Sequence, residues 1–355
     1  MARCVLYAEV PGFYAAVARA DDPSLADRPV LVGGDPRKRG RVQAATDDAL
    51  AAGVTLEMPM LEALRLCPRA RAVRTDMARY REVSRRLFAV LREVEPKLEA
   101  FGLSACYADL GARPDAPEAL AERALAAVDE ALGLPLRVGL GDGKFLARLA
   151  AGEVPAARGI LRVPEGGERA FLDPLPAERL DGVGRKTAAA LAELGARTIA
   201  DVLALGRDRL QTEFGPHGIR IHACAARELE EPVRAVRHPK SVSRESTLRG
   251  DPPDMAVFGE LLAGLAQQLE EELARLGLAA GRVAVKVRFS DHGTTTRSAT
   301  LPRPSAAAAD LHAVAGRLLD RTQAGARPVR GLGIQLSLLA PAGEADRQLD
   351  LFPSS

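Results

Sequence analysis

The 355-residue sequence has no tryptophan, four tyrosines, five histidines and four cysteines. The cysteines, Cys4, Cys67, Cys106 and Cys224, are scattered through apolar surroundings and never form a C-x-x-C pair, so they fit buried free thiols rather than a disulfide framework or a zinc site. His217, His222 and Cys224 match no standard metal-ligand spacing. The opening Met-Ala-Arg-Cys-Val-Leu-Tyr lacks a signal-peptide core, and no run approaches the ~18 apolar residues of a membrane helix. A soluble, cytoplasmic protein is the expectation. A charge excess is missing too. Lys and Arg total 49 against 47 Asp and Glu, a net +2, so whole-chain charge selects no partner and only local patches can.

Apolar residues make up 47% of the chain and charged residues 27%, enough for cores in roughly two to four domains. Val5 to Ala8 reads as a buried strand running into Glu9, followed by a polar, loop-rich stretch with the basic run Arg37-Lys38-Arg39. Met77, Tyr80, Val83, Leu87, Val90 and Leu91 give residues 76–94 helical periodicity. Phe101 to Leu110 reads as a second strand, 117–132 as a helix and Leu136 to Leu140 as a third strand, which indicates an α/β or α+β core. Residues 165–230 hold short helices with many Gly and Pro, and 231–239 read as a linker. The segment 240–340 patterns as β-α-β-β-α-β, with its first helix capped near Asp254 and Gly277. In its strand Arg282 to Phe289, Val283, Val285, Val287 and Phe289 point one way and Arg282, Lys286 and Arg288 the other. That predicts an apolar face for the helices and a basic face suited to nucleic acid.

Three local motifs bear on function. Leu180-Asp181-Gly182-Val183-Gly184-Arg185-Lys186-Thr187 has the form of a helix-hairpin-helix turn. Gly182 and Gly184 allow backbone N–H groups to meet a phosphate, and Arg185 and Lys186 add charge. Gly139-Leu-Gly-Asp-Gly143-Lys144 lacks phosphate-loop spacing and reads as a strand-to-helix turn. Gln348-Leu349-Asp350-Leu351-Phe352 places an apolar cluster in a polar tail, as a docking peptide does.

Taken together, the motifs resemble the Y-family DNA polymerases of the DinB and UmuC type. Val5 to Tyr14 looks like the first palm motif, Gly53 to Pro68 like the fingers, Phe101 to Leu110 like the second palm motif, and Lys240 to Leu248 like the entry to the little finger. The resemblance implies an α+β right hand: palm at 1–19 and 79–164, fingers at 20–78, a thumb with the hairpin at 165–230, the linker at 231–239, a little finger at 240–340 and a tail at 341–355. It makes Gly182, Gly184, Arg185, Lys186, Lys240, Ser241, Arg244, Arg282, Lys286 and Arg288 DNA-binding positions. It makes Gln348, Leu349, Asp350, Leu351 and Phe352 a sliding-clamp peptide, and Tyr14 the steric-gate position.

The departures from the family pattern bear on chemistry. The four acidic positions of the family fall on Glu9, Pro11, Ser104 and Ala105, so one carboxylate remains. Two-metal phosphoryl transfer needs carboxylates that bridge a pair of ions, and Pro11 and Ala105 carry no side-chain oxygen. Asp109, on the strand of Ala105, is about 13 Å farther along. The family's triphosphate-contacting Tyr and Arg align with Asp47 and Leu50, which leaves Asp47 facing a triphosphate without its arginine. The pattern is similar to the ImuB-like branch: an inert, DNA-bound, clamp-tethered protein with no cofactor, able to work with an error-prone replicative polymerase and a RecA-like protein at the bacterial nucleoid. The alternatives are a divergent but active Mg²⁺-dependent polymerase and an interaction scaffold with little DNA affinity.

Overall fold

The structure, a computed structural model, describes residues 4–111, 116–155, 157–229, 231–235, 239–248, 255–291 and 293–342. It divides into two compact units, Met1–Arg237 and His238–Ser355.

The first unit runs β1 (Val5–Glu9), α1 (Phe13–Asp21), β2 (Val30–Gly33), β3 (Val42–Ala45), α2 (Asp47–Ala51), α3 (Met60–Leu66), β4 (Arg71–Arg74), α4 (Met77–Val94), β5 (Leu98–Phe101), β6 (Ala105–Asp109), α5 (Pro117–Leu132), β7 (Arg137–Gly141), α6 (Lys144–Gly152) and β8 (Gly159–Arg162). Its main sheet has the order β5-β6-β1-β7-β8. Strand alternation gives that sheet two apolar faces. Leu6, Ala8 and Val10 face the core that holds Leu87 and Leu91 of α4 and Leu120 and Val128 of α5. Val5, Tyr7, Ala105 and Tyr107 face Ala147 and Ala151 of α6. Helix α4 follows the predicted periodicity, burying Tyr80, Val83, Leu87 and Leu91, and Asp76 caps it by accepting from the Ala78 and Arg79 N–H groups.

Two sequence expectations need correction. The stretch 101–110 is a hairpin of β5 and β6, because Gly102, at φ 68°, turns the chain before Ser104. The loop-rich stretch after α1 contains a second sheet, β3-β2-β4, on which α3 packs through Met60, Ala63 and Cys67. These strands have four residues each, too short for alternation to stand out. The Gly139–Lys144 run does pass from β7 into α6.

Helices α7 (Glu168–Leu172), α8 (Arg185–Glu193), α9 (Ile199–Leu205), α10 (Arg207–Phe214) and α11 (Pro216–Ala225) complete this unit. They close around Leu172, Leu191, Ile199, Leu210, Ile221 and Cys224.

The second unit is β9 (Ser241–Thr247), α12 (Met255–Leu276), β10 (Leu278–Phe289), β11 (Thr294–Ser305), α13 (Ala308–Leu319) and β12 (Val329–Pro341), the predicted β-α-β-β-α-β order. The sheet order is β11-β10-β12-β9. Val283, Val285, Val287 and Phe289 are fully buried with Leu262 and Leu269 of α12 and Leu311 and Leu318 of α13. Asp254 lies outside the described residues. Among the described residues no helix is long and apolar enough to cross a membrane.

Candidate functional site

Glu9 ends β1 in the middle of the first sheet. Its cross-strand partners are Ala105 on β6 and Arg137 on β7. Directly opposed residues put their side chains on one face, so Glu9 has a methyl group on one side and a cation on the other. The Tyr7 hydroxyl donates to Glu9 Oε2 at 2.9 Å. Burial, reinforced by the adjacent Glu9 charge, pushes the Tyr7 hydroxyl well above its ordinary pKa, so it stays a neutral donor. Ala105 is buried with Tyr7 and Tyr107. Ser104 lies in the hairpin turn, where its carbonyl accepts from the Val10 N–H. Tyr14 stacks on the buried Tyr80 ring, with centroids 4.2 Å apart at 11°.

Beside this strand end, a cavity of about 540 Å³ is lined by Pro11, Gly12, Arg19, Thr46, Asp47 and Asp48 among others. Both acids are engaged. Arg137 Nη2 reaches Asp47 Oδ2 at 2.8 Å, and Arg19 Nη2 reaches Asp48 Oδ2 at 2.9 Å. Burial disfavours the charged form of Asp48, but the Thr46 hydroxyl and Arg19 outweigh it and hold the carboxyl below its usual range. Asp47, at the aligned triphosphate position, is thus paired with a cation of β7 that the sequence alone did not point to. Leu50, on the same helix, is 41% exposed.

A second cavity, of about 310 Å³, is lined by Glu99, Phe101, Tyr107, Lys144, Arg148 and Asp181 among others. Lys144 Nζ meets Glu99 Oε2 at 2.5 Å with both side chains nearly buried, and the same oxygen accepts from the Arg234 N–H at 2.6 Å. Burial pushes the Tyr107 hydroxyl up to about 12. In the hairpin, Gly182 takes φ 89° and lies against the His217 ring, and Gly184 caps α8. Arg185 and Lys186 start that helix and are exposed.

On the second unit, the open sheet face carries four cross-strand rows: Thr300-Arg282-Ser337-Ser241, Ser298-Ala284-Gln335-Ser243, Thr296-Lys286-Gly333-Glu245 and Thr294-Arg288-Gly331-Thr247. Arg282, Lys286, Arg288 and Ser241 share it, and Lys240 immediately precedes it. Arg244 does not. Its partner is Ile334 on the helix side, and its guanidinium reaches Glu272 of α12 at 3.4 Å. Glu245, which the sequence reading passed over, lies 2.8 Å from Arg288 Nε and 3.8 Å from Lys286 Nζ. Residues Gln348, Leu349, Asp350, Leu351 and Phe352 lie outside the described residues.

Two family models match: the impB/mucB/samB family over residues 9–152, and the impB/mucB/samB family C-terminal domain over 239–351. The chain is 36% identical over 354 residues to a DNA polymerase IV of Alkalilimnicola ehrlichii, covering 99% of both chains. It is 35% identical to that of Halorhodospira halophila, covering 99% of this chain and 98% of the other. The chain belongs to the Y family of DNA polymerases. Its fold agrees. A Y-family DNA polymerase chimera superposes with a TM-score of 0.79 at 22% identity, and an insertion ternary complex of Dbh DNA polymerase with 0.72 at 22%, each covering 94% of this chain and 98% of that chain.

Y-family polymerases use divalent metal ions, and the donors on this sheet face are a poor fit to a pair of them. Glu9 shares an oxygen with Tyr7, faces Ala105, and stands opposite the positive charge of Arg137. Among the described residues no group of three or more His, Cys, Asp or Glu side chains is placed to hold an ion.

Proposed function

We propose that this Y-family chain binds DNA without extending it, and assists translesion synthesis and repair as a clamp-tethered accessory. The observation that supports this most is the environment of Glu9, whose cross-strand neighbours are Ala105 and Arg137. A divalent pair would need bridging carboxylates where a methyl group and a guanidinium stand. The Arg137–Asp47 ion pair also sets a carboxylate at the aligned triphosphate position, with its cation already engaged.

On this reading the first sheet with α4–α6 is the palm, the β3-β2-β4 layer the fingers, α7–α11 the thumb, and the second unit the little finger. DNA meets Gly182, Gly184, Arg185 and Lys186 of the hairpin and the face of Arg282, Lys286 and Arg288. The tail peptide Gln348–Phe352 docks on the sliding clamp. An error-prone replicative polymerase and a RecA-like protein are the partners such an accessory serves, in the bacterial cytoplasm at the nucleoid. Deleting Gln348–Phe352 is expected to abolish clamp capture in a pull-down while leaving duplex binding unchanged.

A second reading is an active, divergent DNA-directed polymerase that uses Mg²⁺. The near-complete alignment with proteins named DNA polymerase IV favours it. Primer extension separates the two. With primer-template, all four dNTPs and Mg²⁺ or Mn²⁺, the accessory adds no nucleotide. Template-dependent extension that disappears in Glu9→Ala establishes the polymerase instead.

A further inference from the structure

The basic face of the second unit contains its own anion. In its four rows Glu245 is the one carboxylate, set on β9, two strands away from the β10 cations. Strand β12 lies between, and at the two rows concerned it carries Gly333 and Gly331. Those glycines open a trough in the sheet surface. A Cβ on Gly331 would stand 2.9 Å from Arg288 Nη2, and one on Gly333 would stand 3.1 Å from the Glu245 Cβ and Cγ. Side chains there would separate the charges. Without them, Arg288 Nε comes to 2.8 Å from Glu245 Oε1, Lys286 Nζ to 3.8 Å from Oε2, and Arg288 Nη2 reaches the Thr247 hydroxyl at 3.3 Å. Arg282, two rows away, has no ion-pair partner among the described residues and is flanked by Thr300 and Ser337.

These three side chains remain partly exposed: Lys286 by 46%, Arg288 by 40% and Glu245 by 36%. The pair is therefore screened and labile, and a stronger anion can replace it. Hydroxyl groups from Thr294, Thr296, Ser298, Thr300 and Ser243 surround the site, the side-chain types that accompany Lys and Arg at nucleic-acid phosphates.

We propose that Glu245 is an intramolecular competitor of backbone phosphate. It occupies Lys286 and Arg288 when no nucleic acid is bound, and a phosphate must displace it to engage them. The inference rests on the DNA-binding reading of this face. The competitor weakens binding and reduces its salt dependence, because the Glu245 carboxylate set free by phosphate takes up a cation of its own and offsets part of the counterion release from the nucleic acid.

The test is fluorescence anisotropy of the full chain on a labelled primer-template, across a salt series. Glu245→Gln keeps the shape and removes the charge. It is expected to bind about threefold to tenfold more tightly at fixed salt, with a log K against log[salt] slope steeper by up to about one. The gain is expected to vanish in a Lys286→Gln/Arg288→Gln background, because the competition then has no target. Unchanged or weaker binding by Glu245→Gln, while Arg282→Gln weakens the wild type, overturns the competitor and leaves the DNA-binding face standing. Absence of salt-dependent binding in both wild type and Glu245→Gln overturns both.

Discussion

The sheet around Glu9 in the first unit and the open sheet face of the second unit treat charge in opposite ways. On the first unit, Glu9 stands between Ala105 and Arg137, with one carboxylate oxygen accepting from Tyr7, and Asp47 and Asp48 are closed into ion pairs with Arg137 and Arg19. On the second unit, three cations sit among hydroxyl groups with one carboxylate to temper them. A sheet that must gather divalent ions needs clustered negative charge. A sheet that holds a sugar–phosphate backbone needs dispersed positive charge. The sheet around Glu9 offers one carboxylate beside a cation, and the face of the second unit offers dispersed positive charge; the proposal that DNA binding is separated from DNA synthesis rests on that difference.

The contrast can be broken experimentally. The largest effect is expected from charge reversal on the second unit: Arg282→Glu with Lys286→Glu should lower duplex affinity more than about tenfold near ~100 mM salt, measured by anisotropy, because phosphate contacts dominate such binding. An unchanged affinity would mean that the face is only solvated.

A smaller effect, on folding alone, is expected in the first unit. Lys144→Met removes the cation from the Glu99 carboxylate, whose side chain is 4% exposed. Removing one partner of a pair this buried should cost about 2–3 kcal/mol in denaturant unfolding, tempered by the Arg234 N–H that Glu99 keeps. The same measurement on Lys286→Met should show almost nothing, since that pair is exposed.

The smallest effect concerns Asp48. Its carboxyl is held below its ordinary range in the folded chain, so its contribution is present above the unfolded value near ~3.9 and fades as pH falls through the lower folded value. Asp48→Asn should therefore be slightly less stable than wild type at neutral pH and converge with it in acid, as read from unfolding midpoints across pH. A difference that grows on acidification would contradict the assignment of Arg19 and Thr46 as its stabilising partners.

Local periodicity made the larger elements legible in the sequence. The stripe of Tyr80, Val83, Leu87 and Leu91 and the alternation of Val283, Val285, Val287 and Phe289 each satisfy one period over enough residues to be read directly. The site was only half legible. That Pro11, Ser104 and Ala105 carry no carboxylate is visible in one dimension, but the neighbours of Glu9 are not. Arg137 meets Glu9 and Asp47 only through the β1–β7 register, and Glu245 reaches Arg288 only because β12 carries glycines between them. The same limit explains Arg244: the family resemblance made it a DNA-binding position without saying on which side of the sheet it lies, and the pleat sets it on the helix side, within reach of Glu272.

The central claim, that the sheet face around Glu9 cannot gather two divalent ions, is tested most directly by Mn²⁺ titration followed by electron paramagnetic resonance, on the protein bound to primer-template and a non-hydrolysable nucleotide. The account predicts the same free Mn²⁺ signal for wild type and Glu9→Ala at every concentration. Uptake of two ions per chain by the wild type, lost in Glu9→Ala, would contradict it.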